Sequence, residues 1–143
     1  MSITTTILKL CNWLIRNQEP FIIDENYLDR YYLIPKNRVF NVYKHVFFGS
    51  DAPVFHNHPW YSFGIILDGE YIEHTPTGSH VRKKGDVAFR KPTTLHWIEI
   101  DKPVQTLFIT GPNIHKWGFL CDGTIIDHEI YIESRGTDRL ASG

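Results

Sequence analysis

The sequence predicts an all-β chain, an antiparallel sandwich or barrel, preceded by one amphipathic helix. Three observations carry that prediction. Short apolar runs recur at about 8–12 residue spacing between turn residues, the pattern of short antiparallel strands. Asp68-Gly69 lies between two such runs, the strongest short-range hairpin signal. Helical periodicity is found at the N-terminus and gives way to short strands after Pro20.

The helix is read over residues 3–18. Ile3, Ile7, Leu10, Cys11 and Leu14 follow helical spacing, while Lys9, Asn12 and Arg16 fall off that stripe. Ser2 or a nearby Thr is the expected cap, and Pro20 the stop. Strands are expected at Val39–Phe48, Ser62–Leu67, Tyr71–His74, Val87–Arg90, Trp97–Ile100, Val104–Thr110 and Ile125–Ile132. Turn residues separate them at Pro76-Thr77-Gly78, Gly85-Asp86, Asp101-Lys102-Pro103, Gly111-Pro112 and Asp122-Gly123. This divides the chain into a helix over 1–20 packing on the barrel or a partner, a barrel over 21–132 and a polar tail over 133–143.

Composition narrows the function classes. The chain has 143 residues, one domain's worth, and its nine Phe, seven Tyr and four Trp can bury a large core. A net charge of -1 disfavours general nucleic-acid binding, which calls for a basic surface. Nothing is apolar for long enough to span a membrane, and no signal peptide is read at the start. Two cysteines, Cys11 and Cys121, are no disulfide framework, so a reducing, cytoplasmic setting is expected. A serine-nucleophile elbow and a phosphate-binding loop are both absent from the sequence.

Eight histidines are unusual for this length, and His56-Asn57-His58 is the chemical centre. Residues two apart in a strand point to one face, so both imidazoles reach one point, as two ligands of one metal must. His96, near the start of another strand, is the best third ligand.

The order Gly49, His56-x-His58, Gly69, Gly85-Asp86, Pro92 and His96 resembles the two sequence motifs of the cupin superfamily, over roughly residues 38–112. The strings His56-Asn-His-Pro-Trp60, Gly69-Glu-Tyr-x-Glu73, Gly85-Asp-x-x-Phe-Arg90, Pro92-Thr-Thr-x-His96, Thr106–Pro112 and Trp117-Gly-Phe119 are similar to a group of short bacterial and phage cupin-like proteins. The resemblance implies a single small jelly-roll barrel with a metal inside, held by His56, His58 and His96. Three departures bear on the metal and the reaction. The Glu of the first motif falls at Ser62, the turn before His96 is one residue short and lacks its Gly, and the Asn expected after the last His is Ile100.

Further residues are placed by pairing. A hairpin turn at Asp68-Gly69 sets Gly64 opposite Glu73 and Ser62 opposite Thr75. Ser62, Gly64, Ile66, Tyr71, Glu73 and Thr75 then face the interior with His56 and His58. Glu73 is read as a general base, a partner of a ligand imidazole, or a displaced fourth ligand. A bulge would instead turn it outward. Arg90 is read as an anchor for a substrate carboxylate or phosphate, against a rim salt bridge as the alternative. Tyr71 and Tyr43 are candidate hydroxyl donors, with core packing as the alternative. Ser62 is a substrate-binding candidate. Trp60 and Trp97 are expected to point away from the metal. His45, His74, His80, His115 and His128 are expected on the surface or in hydrogen bonds.

Three neutral imidazoles leave the full +2 charge of a divalent ion in place and, on an octahedral ion, three open positions. Fe(II) is favoured, with Zn, Ni or Mn as alternatives. Thiol dioxygenases, one cupin branch, have a similar three-His site. The expected activity is a metal-dependent oxidoreductase, dioxygenase-like, acting on a small and anionic substrate. The alternatives are a Zn or Ni Lewis-acid isomerase, lyase or hydrolase and a non-catalytic small-ligand binder. A metal-free sugar-nucleotide epimerase-type barrel is a weaker idea, because the His-x-His pair argues against it. The expected assembly is a homodimer.

Overall fold

The computed structural model describes residues 2–135, with side chains through residue 132. It opens with α1 (Ile3–Leu14), β1 (Phe21–Ile23), β2 (Leu28–Tyr32) and β3 (Asn41–Phe47). Then follow β4 (Ser62–Asp68), β5 (Glu70–Thr75), β6 (Gly78–Lys83), β7 (Val87–Arg90), β8 (Trp97–Glu99) and β9 (Val104–Thr110). β10 (Gly118–Cys121), β11 (Thr124–Asp127) and α2 (His128–Arg135) close the described part. All strand pairs are antiparallel.

Six strands form one sheet in the order β1-β2-β3-β9-β4-β7, and three form a second in the order β6-β5-β8. The core lies between them. Ile23, Leu28, Phe47, Ile66 and Val104 come from the large sheet, and Tyr71 and Ile98 from the small one. Strand β9 shows the cause at residue level: Val104, Thr106, Phe108 and Thr110 are buried and the residues between them are not, the period-two pattern of a strand with one inward face. The expected all-β jelly roll is what forms.

Three local expectations are corrected. Asp68-Gly69 does not close a hairpin. β4 pairs with β7 and β9, and β5 with β6 and β8, so the chain turns a corner there from one sheet to the other. Gly69 adopts φ +85, and a Cβ on it would lie 2.8 Å from the Pro103 carbonyl oxygen. The dipeptide encodes the tight local turn but not the partner of the strand that follows. Second, the run Ile125–Ile132 is split into β11 and α2. The tail expected from 133 is helical as far as Arg135, and its remainder, 136–143, lies outside the described residues. Third, α1 ends at Leu14, and its buried side is Thr4, Cys11 and Ile15, whereas Ile3, Leu10 and Leu14 are exposed. Apolar residues occur on both sides of this helix, so periodicity alone did not select the face that meets the sheet. Ser2 caps it by accepting from the Thr5 N–H at 3.2 Å.

Strands β1, β2, β6 and β10 were not anticipated. Cys11 and Cys121 are both free. Among the described residues, no helix is long and apolar enough to cross a membrane.

Candidate metal centre

The segment Phe55–His58 is held on both edges by backbone hydrogen bonds. His56 and His96 exchange two, at 3.0 and 3.1 Å, which brings two histidines distant in sequence side by side. On the other edge the Asn57 N–H donates to the Gly118 carbonyl at 3.1 Å and the Leu120 N–H to Phe55 at 2.7 Å. The Asn57 side chain accepts from the Gly118 N–H at 2.8 Å. Gly118 must be glycine here, because a Cβ would lie 2.1 Å from the Ile126 carbonyl oxygen. Asp122 and Gly123, both at positive φ, make the tight turn that folds β11 back onto β10. The β10–β11 hairpin thus backs the ligand segment, and Phe119 stacks on Tyr131 of α2 at 4.1 Å behind it.

His56, His58 and His96 are all buried, and one ring nitrogen from each lies within 4.8 Å of the others. His58 Nε2 and His96 Nε2 have no hydrogen-bond partner. Three ring nitrogens, one from each histidine, converge in a buried pocket, and lone pairs left unpartnered there are costly unless something binds them. Burial pushes the pKa of all three rings down: well below the ordinary histidine value for His56 and His58, and to about 4 for His96. Neutral rings with free lone pairs are the form a cation needs. The donor set fits a divalent metal.

Glu73 completes this side. It is 2% exposed and accepts from His96 Nδ1 and from Arg90 Nε, both at 2.6 Å, and from Arg82 Nε at 3.0 Å. A carboxylate on Nδ1 puts the imidazole proton there and leaves Nε2 as the lone-pair donor. Of the three readings of Glu73, the geometry fits best the partner of an imidazole, that of His96. The carboxylate lies on the Nδ1 side of His96 and is not in the metal-holding group. Burial opposes its ionisation, but the His96 hydrogen bond and the Arg90 guanidinium outweigh burial and hold the carboxyl well below the usual range. A carboxylate held so firmly ionised, with three donors on it, is a weak base. The inward placement of Glu73 is right although the hairpin used to derive it is not.

Arg90 is 5% exposed and donates to Glu73 through Nε and to the Tyr71 hydroxyl through Nη2 at 3.1 Å. Neither a rim salt bridge nor a free anchor describes it; it ties Glu73 to Tyr71. Burial raises the Tyr71 pKa, so the hydroxyl keeps its proton. Ser62, 3% exposed, sits in register between Arg90 and Thr110 on the same inner wall. Tyr43 is on the other part of the large sheet, stacked on His45 with ring centroids 5.3 Å apart.

Trp97 stacks on His74 at 4.0 Å, away from the three histidines, as expected. Trp60 does not point away. It stacks on His58 at 4.8 Å and 16° and meets Phe108 edge-on. It shares the parity of His56 and His58, so alternation places it on their side. His45 has no exposure at all and accepts from Arg30 Nε at 3.0 Å. Arg30 and Arg82 are not among the expected site residues, because the charged and polar residues of β2 and β6 hide a strand.

No protein-family model matches the sequence, and no curated protein matches it. Solved structures do. KdgF from a Halomonas species superposes with a TM-score of 0.58 at 12% identity, over 68% of this chain and 90% of that one. An RmlC-like cupin from Shewanella frigidimarina gives 0.54 at 18%, over 66% and 86%. The DMSP lyase DddQ from Ruegeria pomeroyi gives 0.52 at 20%, over 62% of this chain and 49% of that one. The chain has the cupin fold. At these identities the likeness is one of fold, and the matched part spans about half of the DMSP lyase. The barrel brings its three histidines together, with a carboxylate behind His96 supplied by β5.

Proposed function

We propose that this cupin is a divalent-metal-dependent enzyme acting on a small anionic molecule. The observation that supports it is the convergence of three buried, neutral imidazoles whose inward nitrogens lack any partner. His56, His58 and His96 would hold the ion, which supplies Lewis acidity or, as iron(II), redox chemistry with dioxygen. Iron(II) and a dioxygenase-like reaction form the first reading. Zinc, nickel or manganese with Lewis-acid chemistry is the second. It is favoured by similar structures described as a DMSP lyase and as a sugar phosphate isomerase.

The chain's own groups act around that ion. Glu73 orients His96 and fixes its tautomer. Arg90 holds Glu73 in place and leaves the Tyr71 hydroxyl proton free to donate to a substrate oxygen. Ser62 and Tyr43 are both buried, Ser62 beside Arg90 and Tyr43 under the Arg30 guanidinium. Trp60 covers one face of His58 and keeps water from it.

Elemental analysis of protein purified without added metal, beside His96→Ala, tests the proposal. The expected result is about one iron per chain, absent from the variant, with dioxygen uptake on small thiols or acids. Zinc or nickel lost in the variant selects the second reading. No metal, even after anaerobic reconstitution, overturns both.

A further inference from the structure

The large sheet carries an arginine on its inner face. Leu28, Arg30 and Tyr32 of β2 are Cα partners of Phe47, His45 and Tyr43 of β3, and those three are inward residues of the barrel. The Arg30 guanidinium is fixed twice. Its Nε donates to His45 Nε2 at 3.0 Å, and its centre lies 4.3 Å over the Tyr43 ring. Burial holds His45 neutral, so that hydrogen bond brings no countercharge. Among the described residues, no carboxylate pairs with Arg30, Lys36 or Arg38. All three line one cleft with Tyr43 and Trp60, and no Asp or Glu lines it.

We infer that Arg30 is the anion-binding residue of this barrel. It holds a small oxyanion, the carboxylate or phosphate group of the substrate, in the cleft it shares with Lys36, Arg38 and Trp60. This deepens the reading of a small anionic substrate and rests on it. A half-buried guanidinium with its plane fixed and its terminal nitrogens uncommitted presents parallel N–H donors, the geometry that matches an oxyanion. Lys36 and Arg38, both exposed on the segment before β3, add attraction at the rim. Trp60 is the link to the metal centre, since it lines the cleft and stacks on His58. The role the sequence offered to Arg90 therefore passes to Arg30, because Arg90 is committed to Glu73 and Tyr71.

The test uses the full chain in two forms, chelator-treated and zinc-reconstituted. Inorganic phosphate and acetate are titrated separately at constant ionic strength. The Arg30 Nε–H and Trp60 indole N–H resonances are followed. Both resonances are expected to shift saturably in both forms, with the tighter anion naming the substrate's group. Arg30→Gln should weaken binding by about tenfold or more. Lys36→Gln with Arg38→Gln should weaken it by about two- to fivefold, and more at low salt. The inference is overturned by no saturable shift in either form, or by a shift in the zinc form alone, which places the anion on the metal. Affinity unchanged by Arg30→Gln also overturns it. Should Arg30→Gln fail to fold, unchanged binding in the Lys36 and Arg38 double variant decides against it. Binding by metal-free protein is independent of the metal reading, so the two fail separately.

Discussion

Beside β8, His96 donates a hydrogen bond from Nδ1 to the Glu73 carboxylate; on β3, His45 Nε2 accepts a hydrogen bond from the Arg30 guanidinium. Both rings have no exposure, and burial pushes both pKa values down. The difference is the charge of the partner. A carboxylate on one nitrogen turns the other into a lone-pair donor, which suits a cation. A guanidinium on one nitrogen puts the proton on the other, which leaves no lone pair for a cation. What stands behind a buried imidazole thus decides whether it can hold a cation.

The largest expected contrast is in metal content. His58→Ala should lose the bound ion, and His45→Ala should retain it at about one per chain, as read by elemental analysis. Loss in both would erase the distinction between the two sites.

Next comes Glu73→Gln. It removes the charge behind His96 and leaves Arg90, 5% exposed, without its carboxylate. Metal affinity should fall about 10–100-fold in a competition titration. Stability should fall by about 3 kcal/mol in urea. Arg30→Gln, its counterpart on the other wall, should leave metal affinity unchanged.

The third contrast is with pH. Unfolded, each of His45, His56, His58 and His96 takes up a proton near pH 6.5; folded and metal-free, each stays neutral below that. The stability of the metal-free protein is therefore fully present above about pH 6.5. It falls below that by up to about 1.4 kcal/mol per pH unit for each ring. Urea midpoints between pH 7.5 and 5.5 measure the slope, and a flat profile would contradict neutral burial. The smallest effect is His45→Phe, which strips Arg30 of its acceptor and should cost about 1–3 kcal/mol with the metal site intact.

These two walls also show what the sequence could tell. The histidine wall was legible because His-x-His states its own parity, and Pro92 to His96 repeats a familiar order. Glu73 was legible as an inward residue with three open roles: its partners come from β6, β7 and the residue before β8, which no local pattern joins. The arginine wall was not legible. β2 reads Leu-Asp-Arg-Tyr-Tyr, and its charges hide a strand whose alternate residues face inward. Asp68-Gly69 failed differently, for a turn signature sets backbone angles while the sheets choose their own partners.

Three imidazoles would hold the metal, with Glu73 behind one of them. X-ray absorption on zinc-loaded wild type and Glu73→Gln tests this directly. The predicted result is three imidazole nitrogens at about 2.0–2.1 Å in both proteins, with weaker binding in the variant. A Glu73 carboxylate oxygen among the ligands of the wild type, or fewer than three imidazoles, would contradict it.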